Sequence, residues 1–536
     1  MRKFTEPCDV ALFVLALLAI PLLSENGRAQ SAPEGPLVPV PTNQNTSQSG
    51  SPLFPPSQVK EELVGEISPG AELAGARSSE NHLAWVEKAG GKKTVRLDGK
   101  QIGGTYDDVK YLEFSKDEQH VAFIAKRQSK WVLVVDGADH SREYGKMTAP
   151  TLSANGKFFA VGTCVEKKCR LVVNEEEIGP EFEDISAPGF NTDGDHCVYF
   201  GKRKKKWIMV LDNKESGPEM DDFAYWRFSP DGNGTVVAAQ FKSDWTWVVN
   251  GTPGPSLDVI GYLDFSSDGK HYAYGGTEAQ SGFKKTKTHG VVVIDGRTAG
   301  SYEGKGFGGG WQGLFGASQQ IATGPRHLFP DFHGVSDVQY TPDDKLVYAG
   351  RQGEGNVTVY VDSVPGPNFE NIVSSIVVSG DGKHLAYLGK KDESFVEVRD
   401  QVPGPSFPGK RELSFVETIA MNKDGSHLAY EIVRGGNQFK QGLTRRALRR
   451  MVIDGKAGPE YDSNDLSHFR FGEGGTHYFY EVYGAVGDRD RVVFDGIDSK
   501  IFDTVFRNST KFVDETTIEF VAQDGRRFLR VLESLK

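Results

Sequence analysis

The feature that most constrains this chain is an internal repeat of fixed spacing. The element apolar-apolar-Asp/Asn-Gly stands at Val134-Val135-Asp136-Gly137, Val248-Val249-Asn250-Gly251, Val293-Ile294-Asp295-Gly296 and Val452-Ile453-Asp454-Gly455. Looser copies centre on Asp98, Asn174, Asp212, Asp362, Asp400 and Asp495. From 98 to 136, 174, 212 and 250 every step is 38 residues, and so is the step from 362 to 400. The other steps, 45, 67, 54 and 41, are the same period with insertions. A period of this size means one small unit stacked many times, because a single copy cannot bury a core by itself.

Two further elements share the period. Gly-Pro, one residue, then an apolar or aromatic residue recurs at Gly179-Pro180-Glu181-Phe182, Gly217-Pro218-Glu219-Met220, Gly366-Pro367-Asn368-Phe369 and Gly458-Pro459-Glu460-Tyr461. The third, Ser-x-Asp-Gly-x-His-apolar-Ala-Tyr, is clearest over 266–274, 379–387 and 422–430, with weaker copies near Ser79, Ser115, Ser153, Thr192, Ser229, Thr341, Gly472 and Val513. That makes eleven units. Within each, apolar alternation runs for four to eight residues between Gly, Pro, Asn and Asp, and no helical 3.6 period is sustained, so the units read as short strands. The 63 glycines in 536 residues, about 12%, exceed the usual about 7% because each reversal needs a residue that accepts positive φ. Repeats of this length built from short antiparallel strands read as propeller blades.

The Ser229-Pro230-Asp231-Gly232 segment and its relatives, followed by Leu-Ala-Tyr strands, resemble the WD40-like (PD40) repeats of TolB-type exported bacterial proteins. The resemblance covers about residues 72–536. It implies an all-β propeller acting as an exported interaction module, with no shared catalytic residues. Such propellers usually have six blades, and here this chain departs from the pattern. Its eleven units fit either two rings, six blades plus five, or one large ring. Accordingly, units one to six are expected over 59–302, an insertion or linker over 303–333, and units seven to eleven over 334–536. The 59–78 segment resembles the Gly-Pro-to-Ser portion of a unit, which the last unit lacks, so pairing of the two chain ends is expected to close a ring.

Arg2 and Lys3 precede an uncharged apolar run from Val10 to Leu23. It falls short of the about 20 residues a bilayer span needs and suits a signal peptide, residues 1–29, with Gly27 and Ala29 before the cleavage point. The alternative is an uncleaved anchor. Residues 30–58, rich in Pro, Ser, Asn and Gln, read as a disordered tether. The expected location is therefore periplasmic or extracellular, with no membrane span after cleavage. Export permits a disulfide, and Cys164 and Cys169 bracket a short polar turn that would place them opposite one another; two free thiols are the alternative. Cys197 falls where sister units carry Leu, Val or Tyr and is expected in the core.

The chemistry-bearing residues mostly obey the repeat. His82, His120, His196, His271, His384, His427 and His477 share one position, which argues for structure, since a single active site needs only one or two. Asp231, Asp268, Asp381 and Asp424 precede turn glycines and can bond nearby amides. Asp193-Gly194-Asp195 and Asp488-Arg489-Asp490 do not extend into a calcium loop, and no CxxC is present, so no metal is expected. GxSxG, HExxH and P-loop patterns are missing, so no cofactor or catalytic residue is assigned. Trp131, Trp207 and Trp245 keep one register, which favours packing between blades. His140, His289 and His468 depart from the repeat.

The candidate binding residues are those that break the pattern. One set is Trp311, Phe315, Arg326, His327, Phe329 and Phe332 in the 303–333 insertion, aromatics with arginine being enriched in interface hot spots. The other is Arg445, Arg446, Arg449 and Arg450, in the extended hairpin of unit nine. A further basic run, Lys202 to Lys206, falls in a hairpin turn; its bland reading is a solvated tip. The net charge of −11 argues against nucleic acid. Together these features lead us to expect a non-enzymatic exported scaffold that binds a protein or a cell-envelope polymer. The alternatives are a propeller that binds glycans or small molecules, and a hydrolase or lyase acting on polysaccharide.

Overall fold

The Asp-Gly and Asn-Gly pairs reverse the chain. Asp136 and Gly137 have φ of +50° and +85°, and Asn250 and Gly251 of +49° and +75°, so each pair forms a two-residue turn whose twist matches the flanking strands. The structure, a computed structural model, describes residues 58–279, 288–304, 335–352, 356–408, 415–434, 448–484, 489–507 and 509–535. The signal segment, nearly all of the tether and most of 303–333 lie outside these residues. Among the described residues every element is a β-strand, and no helix is long and apolar enough to cross a membrane.

Each unit folds into an antiparallel sheet of four strand positions. In blade one these are Glu72–Ser78, Leu83–Ala89, Lys92–Leu97 and Lys100–Tyr106, paired in that order. Blade five repeats it with Asp222–Phe228, Thr235–Phe241, Asp244–Val249 and Thr252–Pro253. In blades three and four the first strand is cut in two by Pro150 and Pro188, which cannot donate to the ladder. Blades nine and ten run together, because Tyr461–Phe471 starts as the outer partner of Leu448–Ile453 and continues as the first strand of blade ten.

Eleven buried apolar clusters hold the blades together, each shared between one blade and the next. Val86, Val95 and Tyr106 of blade one meet Val109, Phe123 and Val134 of blade two. Ala273 and Val292 of blade six meet Val335, Leu346 and Tyr360 of blade seven, across the long insertion. Leu83 and Trp85 of blade one meet Val521 and Phe528 of blade eleven. The succession is therefore cyclic, and the single ring, not six blades plus five, is the arrangement found. Residues 54–536 accordingly form one compact unit.

The ring is closed by the chain ends, with a finer division than the sequence implied. Gln58–Glu66 pairs antiparallel with Arg527–Ser534 and completes blade eleven, with Val59 opposite Glu533 and Leu63 opposite Leu529. Glu72–Ser78 instead opens blade one. The turn between them is clamped from both sides. Arg526 of blade eleven donates to the Ile67 carbonyl at 2.8 Å and also to that of Ser68. From blade one, Glu87 accepts the Ser68 N–H at 3.0 Å and Arg96 donates to the Ser68 hydroxyl at 2.8 Å. Trp85 and Phe528 pack across the seam with ring centroids 4.7 Å apart, both fully buried. Burial of side chains this large contributes about 1.5–3 kcal/mol each.

Candidate functional site

The seven repeated histidines are committed to the fold. Each immediately precedes the second strand of its blade and meets the aspartate of the Asp-Gly turn in the same blade, with Nδ1 to Oδ2 distances of 2.5–2.8 Å. The other carboxylate oxygen accepts the next backbone N–H, as from Leu83 to Asp98 and Leu385 to Asp400. One carboxylate thus ties two turns together. In the His196, His271 and His384 pairs the aspartate hydrogen bond raises the histidine pKa above its ordinary value. The spacing was visible in the sequence: four of the pairs are 16 residues apart, namely 82/98, 120/136, 196/212 and 384/400. The imidazoles therefore act as structural donors.

The turn aspartates behave alike. Asp268 and Asp381 accept from Ser266 and Ser379 at 2.7 Å and from the backbone of Lys270 and Lys383. These bonds hold Asp381 at about 2 and Asp268 lower still. Across blades, Asp344 accepts from both the N–H and the hydroxyl of Ser267. Asp268 and Asp381 thus hold their own turns, and Asp344 is a latch between blades.

The structure places the other sequence candidates as follows. Trp311, Phe315, Arg326, His327, Phe329, Phe332, Arg445 and Arg446 lie outside the described residues. Arg449 does not belong to an exposed cluster: it is 8% exposed, with Nη1 2.7 Å from Oε1 of the fully buried Glu431. The reason is register. Arg449 lies in the strand Leu448–Ile453, opposite Val433 on one side and Tyr461 on the other, so its side chain is enclosed by neighbouring strands. Arg450 is half-buried, 3.8 Å from Glu460. Cys164 and Cys169 are cross-strand neighbours and form a disulfide; Asp184 lies beside it and pairs with Lys146 at 2.7 Å. Cys197 is half-buried at the edge of the core instead of inside it, and desolvation pushes its thiol up to about 12. Trp131, Trp207 and Trp245 are half-buried against the interblade clusters.

The three irregular histidines lie in separate blades. His140 pairs with Glu175 at 2.8 Å, His289 lies in the third strand of blade six, and His468 lies in blade ten. His468 adopts φ +58° at a bulge and places Nδ1 3.4 Å from Oε1 of Glu481. Glu481 is fully buried and accepts from Thr510 at 2.6 Å and from Tyr483 at 2.5 Å. The sequence reading missed these buried carboxylates, Glu431 and Glu481. Their signal was a glutamate in Leu-Ala-Tyr-Glu and Tyr-Phe-Tyr-Glu, four residues after the repeated histidine, where sister units carry Val, Ile, Phe, Gly or Leu.

No family model matches the chain, and no curated protein matches it. Among solved structures, the crystal structure of the eukaryotic initiation factor covers 74% of this chain and 96% of its own, at 9% identity and a TM-score of 0.38. TolB from Acinetobacter baumannii covers 45% and 62%, at 14% identity and a TM-score of 0.23. The β-propeller domain of the Trilobed protease from Pyrococcus furiosus covers 64% and 97%, again at 14% and 0.23. Likeness this distant carries no function, and the sheets described above define the class by themselves: a β-propeller.

Proposed function

We propose that this chain is a non-enzymatic, exported propeller scaffold that binds another protein or a cell-envelope polymer. The observation that carries the reading is the commitment of the repeated histidines and turn aspartates to one another, which leaves them to hold blades instead of acting on a substrate. The apolar run at Val10–Leu23 supports export, and the 303–333 insertion with Arg445, Arg446 and Arg450 supplies residues outside the repeat for a partner.

The test uses the full chain on its native cell envelope, with brief crosslinking and mass spectrometry. One variant lacks 303–333, and a second carries Arg445→Glu, Arg446→Glu and Arg450→Glu, with Arg449 kept because it is buried. The expected result is one dominant partner, lost in both variants at unchanged melting temperature. Retained capture overturns this placement of the surface. Turnover of a polysaccharide by the purified ring overturns the non-enzymatic reading.

A further inference from the structure

The strand Gln58–Glu66 closes the ring on one side and is an open sheet edge on the other. An open edge invites a further strand, and several blades of this ring block that. The outer strands of blades three, four, five, seven and eight carry Pro180, Pro218, Pro253, Pro365 and Pro403, and proline has no N–H to offer. Gln58–Glu66 has no proline, and its Val59 is 49% exposed and its Leu63 56%. Among the described residues no other proline-free outer strand leaves a large apolar side chain as exposed as these.

The backbone groups of this strand alternate between the closing ladder and the open side. Ile67 donates to the Arg526 carbonyl at 2.9 Å, which makes 67 and 526 a hydrogen-bonded pair. Counting in twos along the partner strand, Phe528, Arg530, Leu532 and Ser534 then bond Gly65, Glu62, Lys60 and Gln58. Val59, Glu61 and Leu63 therefore aim their N–H and C=O outward, and among the described residues nothing is hydrogen-bonded to those groups. Lys60 and Glu62 are both exposed and form no ion pair within the chain among the described residues.

We propose that this edge pairs antiparallel with the same edge of a second copy, on a two-fold axis through Glu61. A strand that pairs with itself in this way must be complementary about its own midpoint, and this one is. Glu61 meets Glu61, and Val59 meets Leu63 of the second copy. These are the residues whose backbone points outward, so each pair makes two hydrogen bonds. Lys60 then lies opposite Glu62 of the second copy, and Glu62 opposite its Lys60, in the closely spaced pairs where opposite charges act at short range. Val59 and Leu63 cover one another on the other face. The like charges that meet at the axis are each held by a lysine of their own copy, Lys500, 3.2 Å from Glu61 and 2.9 Å from Asp524. An axis through Lys60 or Glu62 would bring together backbone groups that the closing ladder already uses. One strand pair is small beside the about 1,600 Å² of a standard stable interface, so the association is weak and grows with concentration. The inference is independent of the partner proposed above.

Sedimentation equilibrium of the full chain at low salt tests it, with three variants. Lys60→Glu alone and Glu62→Lys alone each set like charges opposite one another and should weaken self-association by roughly tenfold. The doubly reversed variant, Lys60→Glu with Glu62→Lys, should associate like the parent. So should an equal mixture of the two single variants, because each supplies the charge that the other lacks. All should stay folded, since both side chains are exposed and the closing ladder is untouched. A parent that remains monomeric overturns the proposal and leaves the edge to a strand of another protein. Single variants that associate as tightly as the parent overturn it too, as does a mixture that fails to recover.

Discussion

Nδ1 of His427 lies 2.6 Å from Oδ2 of Asp454, while Oδ1 of the same carboxylate takes the Leu428 N–H at 3.0 Å. Arg399 of blade eight reaches the same aspartate at 3.5 Å and holds Glu397 at 2.8 Å with its Nε. One turn residue therefore joins two turns of its own blade to the blade before it. Removing the acceptor should hurt more than removing one donor. Asp454→Ala strands three donors at about 1–3 kcal/mol for each that stays buried, whereas His427→Ala should cost about 1 kcal/mol. Urea unfolding of both variants decides it; equal losses would mean that the carboxylate is not the hub.

The same pairs make stability depend on pH. The pKa values of His196, His271 and His384 are raised by their aspartates, so their contribution is full below the unfolded value near 6.5 and lost as pH rises through the folded values. Melting temperature should therefore decline from about pH 6.5 upward. A triple His→Gln variant should flatten that decline, and an unchanged profile would remove the pairs as its cause.

Glu533 adds to this at the ring seam. It is 3% exposed on the strand that receives Gln58–Glu66, and desolvation pushes its carboxyl up to about 7. A raised acid is stable neutral, so its contribution is present below about 4.5 and lost as pH rises through about 7. The loss is ~3 kcal/mol. Glu533→Gln should raise the melting temperature at pH 8 and leave it unchanged at pH 4; the reverse order would refute the assignment.

Closure itself can be tested by deleting residues 58–66. This bares the whole edge of Arg527–Ser534 and removes one wall of the turn that Arg526 clamps. A sharp fall in melting temperature is expected, together with a wider ring in small-angle scattering. A deletion variant that melts like the parent would show that the interblade clusters suffice.

Two contrasts follow from burial. Arg449→Glu should destabilise by about 3–5 kcal/mol by breaking a buried ion pair, whereas Arg450→Glu should change stability by less than about 1 kcal/mol. Reduction of Cys164–Cys169 should cost about 2 kcal/mol, the value for so short a loop. Cys197, with its thiol held near 12, should resist alkylation at pH 8 until the protein unfolds. Rapid native labelling would contradict that placement.

By itself the sequence determined the unit: its period, its strands, its reversals at Asp-Gly and Asn-Gly, and the facing of Cys164 and Cys169 across a hairpin. These are local, since a two-residue turn with positive φ fixes register within a few residues. The sequence also marked the histidines as structural, although their partners lay 16 or more residues away and went unread. Tertiary structure alone decided that eleven blades close as one ring, because closure depends on which apolar faces meet, and Leu83 and Trp85 meet Val521 and Phe528 more than 430 residues later. It also decided that Arg449 faces Glu431 inside the sheet and not a partner outside. Repeats of identical grammar cannot announce their count per ring; the packing angle between neighbours sets it, and that angle exists only once the side chains are in place.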